Sequence, residues 1–398
     1  MRIVFISDWF AEKMGYSENC LPKAIGSLGH QVDVITSNLQ PYFNSPIYKK
    51  SYEAFIGPAI VPCMVKDLDG FRLRRLPSQI CRGRLRIKGL LRAIAALRPQ
   101  IVQTFEIESL TTYEAALAKP FLDYGLFLES HTHASVFAMA EKSADMGARE
   151  RLTLYPNLVA GKLVSLMSDK CYAISVDAAQ IAVRFFGIEP HKISVCPLGV
   201  DADIFRPLSD QSLQEVRTRV RRQLGFADSD IVCIYTGRLS HDKDPLCLAQ
   251  AIEILAQQDM RFHGLFIGDG PQAEYVRVRR GCVVKPFVPY VELPPYYWAA
   301  DIGVWPKQES TSQLDAAACG IPIILSNRVK VRERFDGNGL TYREGDSYDL
   351  ALQIRVLGAD LKMRRSMGER GAKKMSELFS WRRIAKQRLR DYETALGC

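Results

Sequence analysis

The sequence predicts an α/β protein of two Rossmann-like, doubly wound domains. Three observations predict it. Short apolar runs alternate with helical stretches from the first residues onward, the pattern of a parallel sheet with helices on both faces. The alternation restarts near residue 231, after a connection that contains proline and glycine. The chain has 398 residues, enough for two α/β domains of roughly 180 each.

In the first half, strands are expected at residues 3–7, 31–36, 101–105, 125–129, 170–174 and 193–197. Helical periodicity falls between them at 21–28, 85–97 and 177–186. The opening run Met1-Arg-Ile-Val-Phe-Ile-Ser7 is β-branched and aromatic, and too short for the apolar region of a signal peptide. Residues 197–207 hold two prolines and one glycine behind an apolar run and read as the linker. In the second half, strands are expected at 231–236, 261–267, 283–287, 302–305 and 321–325, and helices at 245–257, 313–318 and 361–375. A final amphipathic helix at 381–396 follows Ser380, an N-cap residue type. The domains are thus expected at 1–198 and 199–378.

Composition is that of an ordinary globular protein, with 47% hydrophobic and 24% charged residues. No run of 18 apolar residues occurs, so no membrane-spanning helix is expected. The ten cysteines form no C-x-x-C pair, and several lie in apolar runs such as Ile231-Val-Cys-Ile-Tyr235. They read as reduced, buried thiols of a cytoplasmic protein. The formal net charge of +9 is uneven. Between Phe71 and Gln100 stand Arg72, Arg74, Arg75, Arg82, Arg84, Arg86, Lys88, Arg92 and Arg98, with no acid among them. Such a stretch is either a solvated basic face or a surface for phosphates and anionic lipid heads. No nucleic-acid-binding motif accompanies it, so an anionic membrane surface or a phosphorylated acceptor ranks above DNA or RNA.

Five local patterns carry chemistry. Met14-Gly-Tyr-Ser-Glu-Asn19 follows the first strand and opens the first helix, where Gly15 would let a ligand approach the backbone. Leu128-Glu-Ser-His-Thr-His133 stands at a strand's carboxyl end, where open α/β sheets bind ligands. Its two histidines lack a third ligand for a metal. Val195-Cys-Pro-Leu-Gly-Val-Asp-Ala-Asp-Ile-Phe205 spans the domain junction. Tyr235-Thr-Gly-Arg-Leu-Ser-His-Asp-Lys-Asp244 places Arg238 and Lys243 five residues apart after a strand-end glycine. Fixed cations there suit a diphosphate leaving group, whose charge grows as its bond breaks. Last come Gly268-Asp-Gly-Pro271, Pro286-Phe-Val-Pro289 and Trp305-Pro-Lys-Gln-Glu-Ser-Thr-Ser-Gln-Leu-Asp-Ala-Ala-Ala-Cys-Gly320.

In this order the patterns resemble retaining glycosyltransferases of the GT-B fold, family four. The resemblance covers nearly the whole chain and is weakest over residues 39–70. It implies two Rossmann-like domains facing a central cleft, with residues 379–398 crossing back onto the first. It implies that Arg238 and Lys243 hold the donor diphosphate and that Gly15 reaches the diphosphate and the acceptor. His131, with His133 as the alternative, would touch the transferred sugar. Phe287 would lie at the base, although Pro286 replaces the family's glycine and removes an N–H donor. Asp315 matches the family's second glutamate, which binds ribose hydroxyls. The first glutamate falls strictly on Lys307, and Glu309 substitutes if the loop is two residues shorter. Ser310, Thr311, Ser312 and Gln313 then enter a helix whose first amides would meet phosphate or sugar. Asp201-Ala-Asp203 matches a D-x-D metal motif only formally, since it lies at the junction.

The expected activity is metal-independent, retaining transfer from a nucleoside-diphosphate sugar to an acceptor hydroxyl, with no cofactor beyond that donor. The acceptor would be a glycan, a lipid-linked sugar or a small molecule. A sugar-nucleotide epimerase and a non-catalytic sugar-nucleotide-binding or scaffold protein are the competing readings.

Overall fold

The structure, a computed structural model, describes residues 1–81, 83–134, 137 and 148–397. The chain forms two compact units, one of residues 1–48, 56–198 and 381–398, the other of 49–55 and 199–380.

The strands of the first unit are β1 (Arg2–Ser7), β2 (Gln31–Ser37), β3 (Val65–Leu68), β4 (Phe71–Leu76), β5 (Ser78–Cys81), β6 (Arg84–Ile87), β7 (Ile101–Thr104), β8 (Gly125–Ser130), β9 (Lys170–Ala173) and β10 (Ile193–Val195). Those of the second are β11 (Ile231–Thr236), β12 (Phe262–Ile267), β13 (Cys282–Lys285), β14 (Ile302–Trp305), β15 (Ile323–Ser326) and β16 (Gly339–Tyr342). The first sheet runs β10-β9-β8-β7-β1-β2-β4-β3, parallel except for the antiparallel edge pair of β3 and β4. The second runs β13-β12-β11-β14-β15-β16 and is wholly parallel. Central strands are buried on both faces, as crossover helices require, so Ile3–Ile6 and Val232–Tyr235 are apolar throughout rather than alternating.

Each sheet reverses its winding once. In the first unit β7 lands on the far side of β1 from β2, and in the second β14 lands on the far side of β11 from β12. The gap above the carboxyl ends of such a strand pair is where doubly wound sheets take ligands, because helices leave there in opposite directions.

Several elements differ from the sequence expectation. Residues 84–87 are a strand, paired with β5 in a separate hairpin, and helix begins only at Leu90. The period of Arg84-Leu-Arg-Ile87 is two, with Leu85 and Ile87 buried between exposed arginines, and Gly89 at φ 80° breaks the chain before the helix. The arginine-rich β4, the helices Leu110–Leu122, Ala148–Met167, Gln211–Leu224 and Ser347–Ala359, and β16 are elements the pattern reading missed. The linker is no loose tether. The Val200 amide donates to the carbonyl of Phe379 at 2.8 Å, and Val200 and Phe205 are buried in the second core. The last helix, Trp381–Leu396, has the expected bounds, and the first unit includes it.

Of the nine cysteines described, Cys20, Cys171, Cys233, Cys247 and Cys319 are buried, Cys63 is exposed, and none is in a disulfide. No described helix is long and apolar enough to cross a membrane.

Candidate functional site

The second unit gathers cations at its switch point. The loop after β11 is zipped onto the loop after β12: Gly237 N–H donates to Ile267 O, Leu239 N–H to Asp269 O, and Gln272 N–H to Leu239 O. This close approach needs glycine. A Cβ on Gly268, at φ 151°, would stand 1.8 Å from the Gly237 carbonyl oxygen. The zipped loop presents Arg238, whose guanidinium pairs with Asp242 at 3.0 Å and stays two-fifths exposed. Lys243 donates from Nζ to the Glu309 carbonyl at 2.8 Å. Burial, reinforced by Arg238, pushes the Lys243 ammonium down to about 8.

The loop after β14 closes this site. Buried Trp305 donates from its indole to Ser312 Oγ at 2.9 Å, Ser312 donates to Thr236 O at 3.1 Å, and Ser310 and Ser312 share a hydrogen bond of 2.7 Å. These bonds tie the loop to the end of β11. Glu309 turns its carboxylate to the nearly buried Arg334, at 3.5 Å, and its carbonyl to Lys243. Lys307, the strict counterpart of the first family glutamate, lies two residues earlier, partly exposed. Thr311 precedes the short helix Ser312–Ala318. Gln313 is fully buried and donates to Gln308 O, with its own carbonyl oxygen unpaired. Asp315 is buried and accepts from Tyr290 at 3.4 Å; burial drives its carboxyl well above the usual range. Phe287 follows β13 and stacks against Tyr52 and Phe55 of the same unit. Pro286 is exposed beside it.

The first unit gathers acids and one histidine. Asp8 follows β1, Glu106 and Glu108 follow β7, Glu129 is the fifth residue of β8, and His131 is the first beyond β8. Gly15 lies just before the helix Ser17–Gly26, which adds Ser17 and Glu18. His131 Nε2 is 3.4 Å from Ser17 Oγ and 3.7 Å from Glu129 Oε2, an ion-pair separation. Burial alone would lower the imidazole. Glu129, Glu106 and Glu18 outweigh it and raise His131 to about 9. Burial lifts the carboxyls of Glu18 to about 7 and Glu106 to about 8. Asp8 accepts from Ser109 and Thr111 at 2.7–2.8 Å, and burial still raises it. His133 lies two residues on, partly exposed.

The structure therefore pairs Lys243 with Glu309 and Ser310 with Ser312, holds Arg238 against Asp242 on the loop after β11, and places His131 among the acids of the first unit. The sequence reading missed Glu18, Glu106, Glu129, Arg334 and Arg388. Glu129 stands within the very motif that supplied His131, and its position two residues away on an extended strand was the available signal. Among the described residues, no group of three or more His, Cys, Asp or Glu side chains could hold a metal ion. Asp201 and Asp203 serve the junction turn, where Asp201 Oδ1 accepts from the Asp203 amide at 3.2 Å.

Two doubly wound units with these strand-end sites define a GT-B glycosyltransferase fold. Residues 230–360 match the family described as glycosyl transferases group 1. A D-inositol 3-phosphate glycosyltransferase of Xylanimonas cellulosilytica is 27% identical over 94% of this chain and 90% of its own length. One of Geodermatophilus obscurus is 28% identical over 70% of this chain, and that match spans 63% of the relative. Among solved structures, sucrose-phosphate synthase of Thermosynechococcus elongatus superposes with a TM-score of 0.70 over 100% of both chains at 16% identity. Anabaena HepE in complex with UDP gives 0.69 over 99% of this chain and 100% of its own at 16% identity. Residues 230–360 thus match the group 1 glycosyl transferases, and most of the chain is similar to named glycosyltransferases.

Proposed function

We propose that this protein transfers a sugar, with retention and without a metal, from a nucleoside-diphosphate sugar to an acceptor hydroxyl. The observation that carries the reading is the paired-cation loop, with Arg238 and Lys243 presented after β11 on a glycine-zipped turn. A departing diphosphate gains charge, and preformed cations stabilise it without reorganising. UDP in the HepE structure and ADP in that of starch synthase IV of Arabidopsis thaliana support a nucleoside diphosphate. In this reading Arg238 and Lys243 hold the diphosphate, Asp315 the ribose, Glu309 or Ser312 the sugar or phosphate, and His131 the transferred sugar. The departing phosphate takes the acceptor proton, so no protein nucleophile is required. The curated relatives' names point to a phosphorylated cyclitol as one acceptor class to try.

The test is a thermal-shift screen against UDP, GDP, ADP and their sugars, because ligand bound to the native state raises its stability. One nucleotide should stabilise the wild type and leave Arg238→Ala unmoved. Turnover should survive excess EDTA; its loss, restored by manganese or magnesium, overturns the metal-free mechanism.

We further propose reversible attachment to anionic membranes through the basic stretch. The structure trims this surface and divides it among β4, the hairpin and the helix Leu90–Leu97. Arg72 pairs with Asp67, Arg74 with Asp33 and Arg86 with Glu114; Arg84 donates to Asn157, and Arg75 is buried under Phe10. Arg82 lies outside the described residues. Lys88, Arg92 and Arg98 stand exposed and are the cations that support the reading.

A further inference from the structure

We propose that Glu129 is a positioning residue for His131, and that Arg388 of the final helix holds Glu129 in place. The inference rests on the reading of His131 as a ligand of the transferred sugar.

Glu129 and Arg388 are each about 1% exposed, and their side chains meet at 2.8 Å between Glu129 Oε1 and an Arg388 NH₂ group. The other carboxylate oxygen accepts from Gln103 Nε2 at 3.3 Å and faces His131 Nε2 at 3.7 Å. Gln103 is itself fixed, since its amide oxygen accepts from the Tyr392 hydroxyl. The Arg388 guanidinium carbon lies over the Tyr172 ring, 3.1 Å from its centroid. The Tyr172 hydroxyl donates to Asp391 at 2.7 Å. One helix, Trp381–Leu396, thus supplies Arg388, Asp391 and Tyr392 to the buried end of a chain that terminates at His131.

A buried ion pair is a costly way to stabilise a fold, because both charges lose water. This one has a consequence that an apolar pair would lack. With Oε1 occupied by Arg388, Oε2 is aimed at the histidine. A fixed carboxylate there favours the imidazolium, which carries two N–H donors and no acceptor. Such a ring can donate to a sugar hydroxyl or to an oxyanion. The other acidic groups acting on it are Glu106 beyond β7 and Glu18 on the first helix, and Glu106 is in turn influenced by Glu108 and by Asp8 beyond β1. Glu129 is the carboxylate nearest to Nε2 whose own ionisation is secured. Burial would raise it, and Arg388 with His131 holds it below the ordinary range.

The experiment is an NMR titration of histidine-labelled full-length protein. The chain's six histidines give a sparse spectrum, and His131→Gln assigns the resonance. Glu129→Gln should lower the His131 midpoint by more than one pH unit. It should also cut kcat at least about tenfold with little change in the donor KM. Because Glu129→Gln leaves Arg388 buried and unpaired, Glu129→Gln with Arg388→Gln is measured as the variant that removes both charges. Arg388→Lys keeps a cation and should hold the His131 midpoint near that of the wild type. An unmoved midpoint in the double variant, or a wild-type His131 that titrates below pH 7, overturns the proposal. The midpoint is read without substrate. A lowered midpoint in a protein that transfers no sugar would therefore uphold the coupling and overturn only the transferase reading.

Discussion

The two sheets carry opposite chemistry at the same topological place. Beyond β11 and β14, the second unit presents Arg238 and Lys243 on a loop locked by glycine carbonyl contacts. Beyond β1, β7 and β8, the first unit presents Asp8, Glu18, Glu106 and Glu129 around a single histidine. The architecture is shared, so the difference lies in the residues at the strand ends. One end suits an anionic leaving group. The other suits hydroxyls, which carboxyls can accept from and an imidazolium can donate to. A doubly wound sheet fixes where a ligand goes, and the side chains beyond the strands fix the chemistry it meets there.

The largest effect is expected of Arg238→Ala. Turnover should fall by roughly 10²–10³, the usual loss for one transition-state donor, with an unchanged thermal midpoint. Retention of more than about half the wild-type rate in a steady-state assay would remove the diphosphate assignment.

Gly268→Ala tests whether the cationic loop depends on backbone contact. With φ at 151° and the Gly237 oxygen in the way, the change should cost at least about 2 kcal/mol in denaturant unfolding. Gly337→Ala also meets a positive φ, of 80°, but has open space, and should cost about 1 kcal/mol. Equal losses at the two positions would mean the loops are not zipped as described.

The pH dependence separates the two ends by sign. Glu18 and Glu106 are raised to about 7 and about 8, so the folded first unit holds protons that the unfolded chain releases from about pH 4.5 upward. His131, raised to about 9, contributes stability that is complete below pH 6.5 and lost as pH rises through 9. All three make stability fall between about pH 5 and 9. Lys243, lowered to about 8, acts oppositely: the folded protein sheds this proton first, so its charged form costs stability below pH 8. Lys243→Met should therefore raise the thermal midpoint at pH 7 by about 2–4 °C, roughly 1 kcal/mol, while activity falls. The triple change Glu18→Gln, Glu106→Gln, His131→Gln should flatten the fall between pH 5 and 9. A stability profile that ignores both sets of changes would remove the electrostatic contrast.

The smallest effect concerns the surface. Changing Lys88, Arg92 and Arg98 to glutamate should abolish salt-sensitive sedimentation with anionic vesicles and leave turnover on a soluble acceptor intact. Each cation near such a surface contributes about 1 kcal/mol. Equal partitioning onto neutral vesicles would end the membrane reading.

Features that depend on neighbours along the chain were legible before folding. Strand and helix alternation read out the paired α/β architecture, because buried parallel strands must be apolar on both faces. The final helix, residues 381–396, was legible to its ends from its amphipathic period. Gly237-Arg238 and Lys243 were legible because a strand-end glycine and two cations five residues apart form one local unit. Periodicity misread residues 85–87, where two buried aliphatics among arginines fit a helix as well as a strand, and pairing with β5 decided the matter. Tertiary structure alone decided what Arg388 does. It lies 259 residues from Glu129, and its helix reads as an ordinary basic amphipathic segment until the fold buries one arginine against one glutamate. Lys243 meets the Glu309 carbonyl across 66 residues for the same reason. Local spacing cannot report such pairs, because their partners meet, away from water, only once distant segments of the chain have packed together.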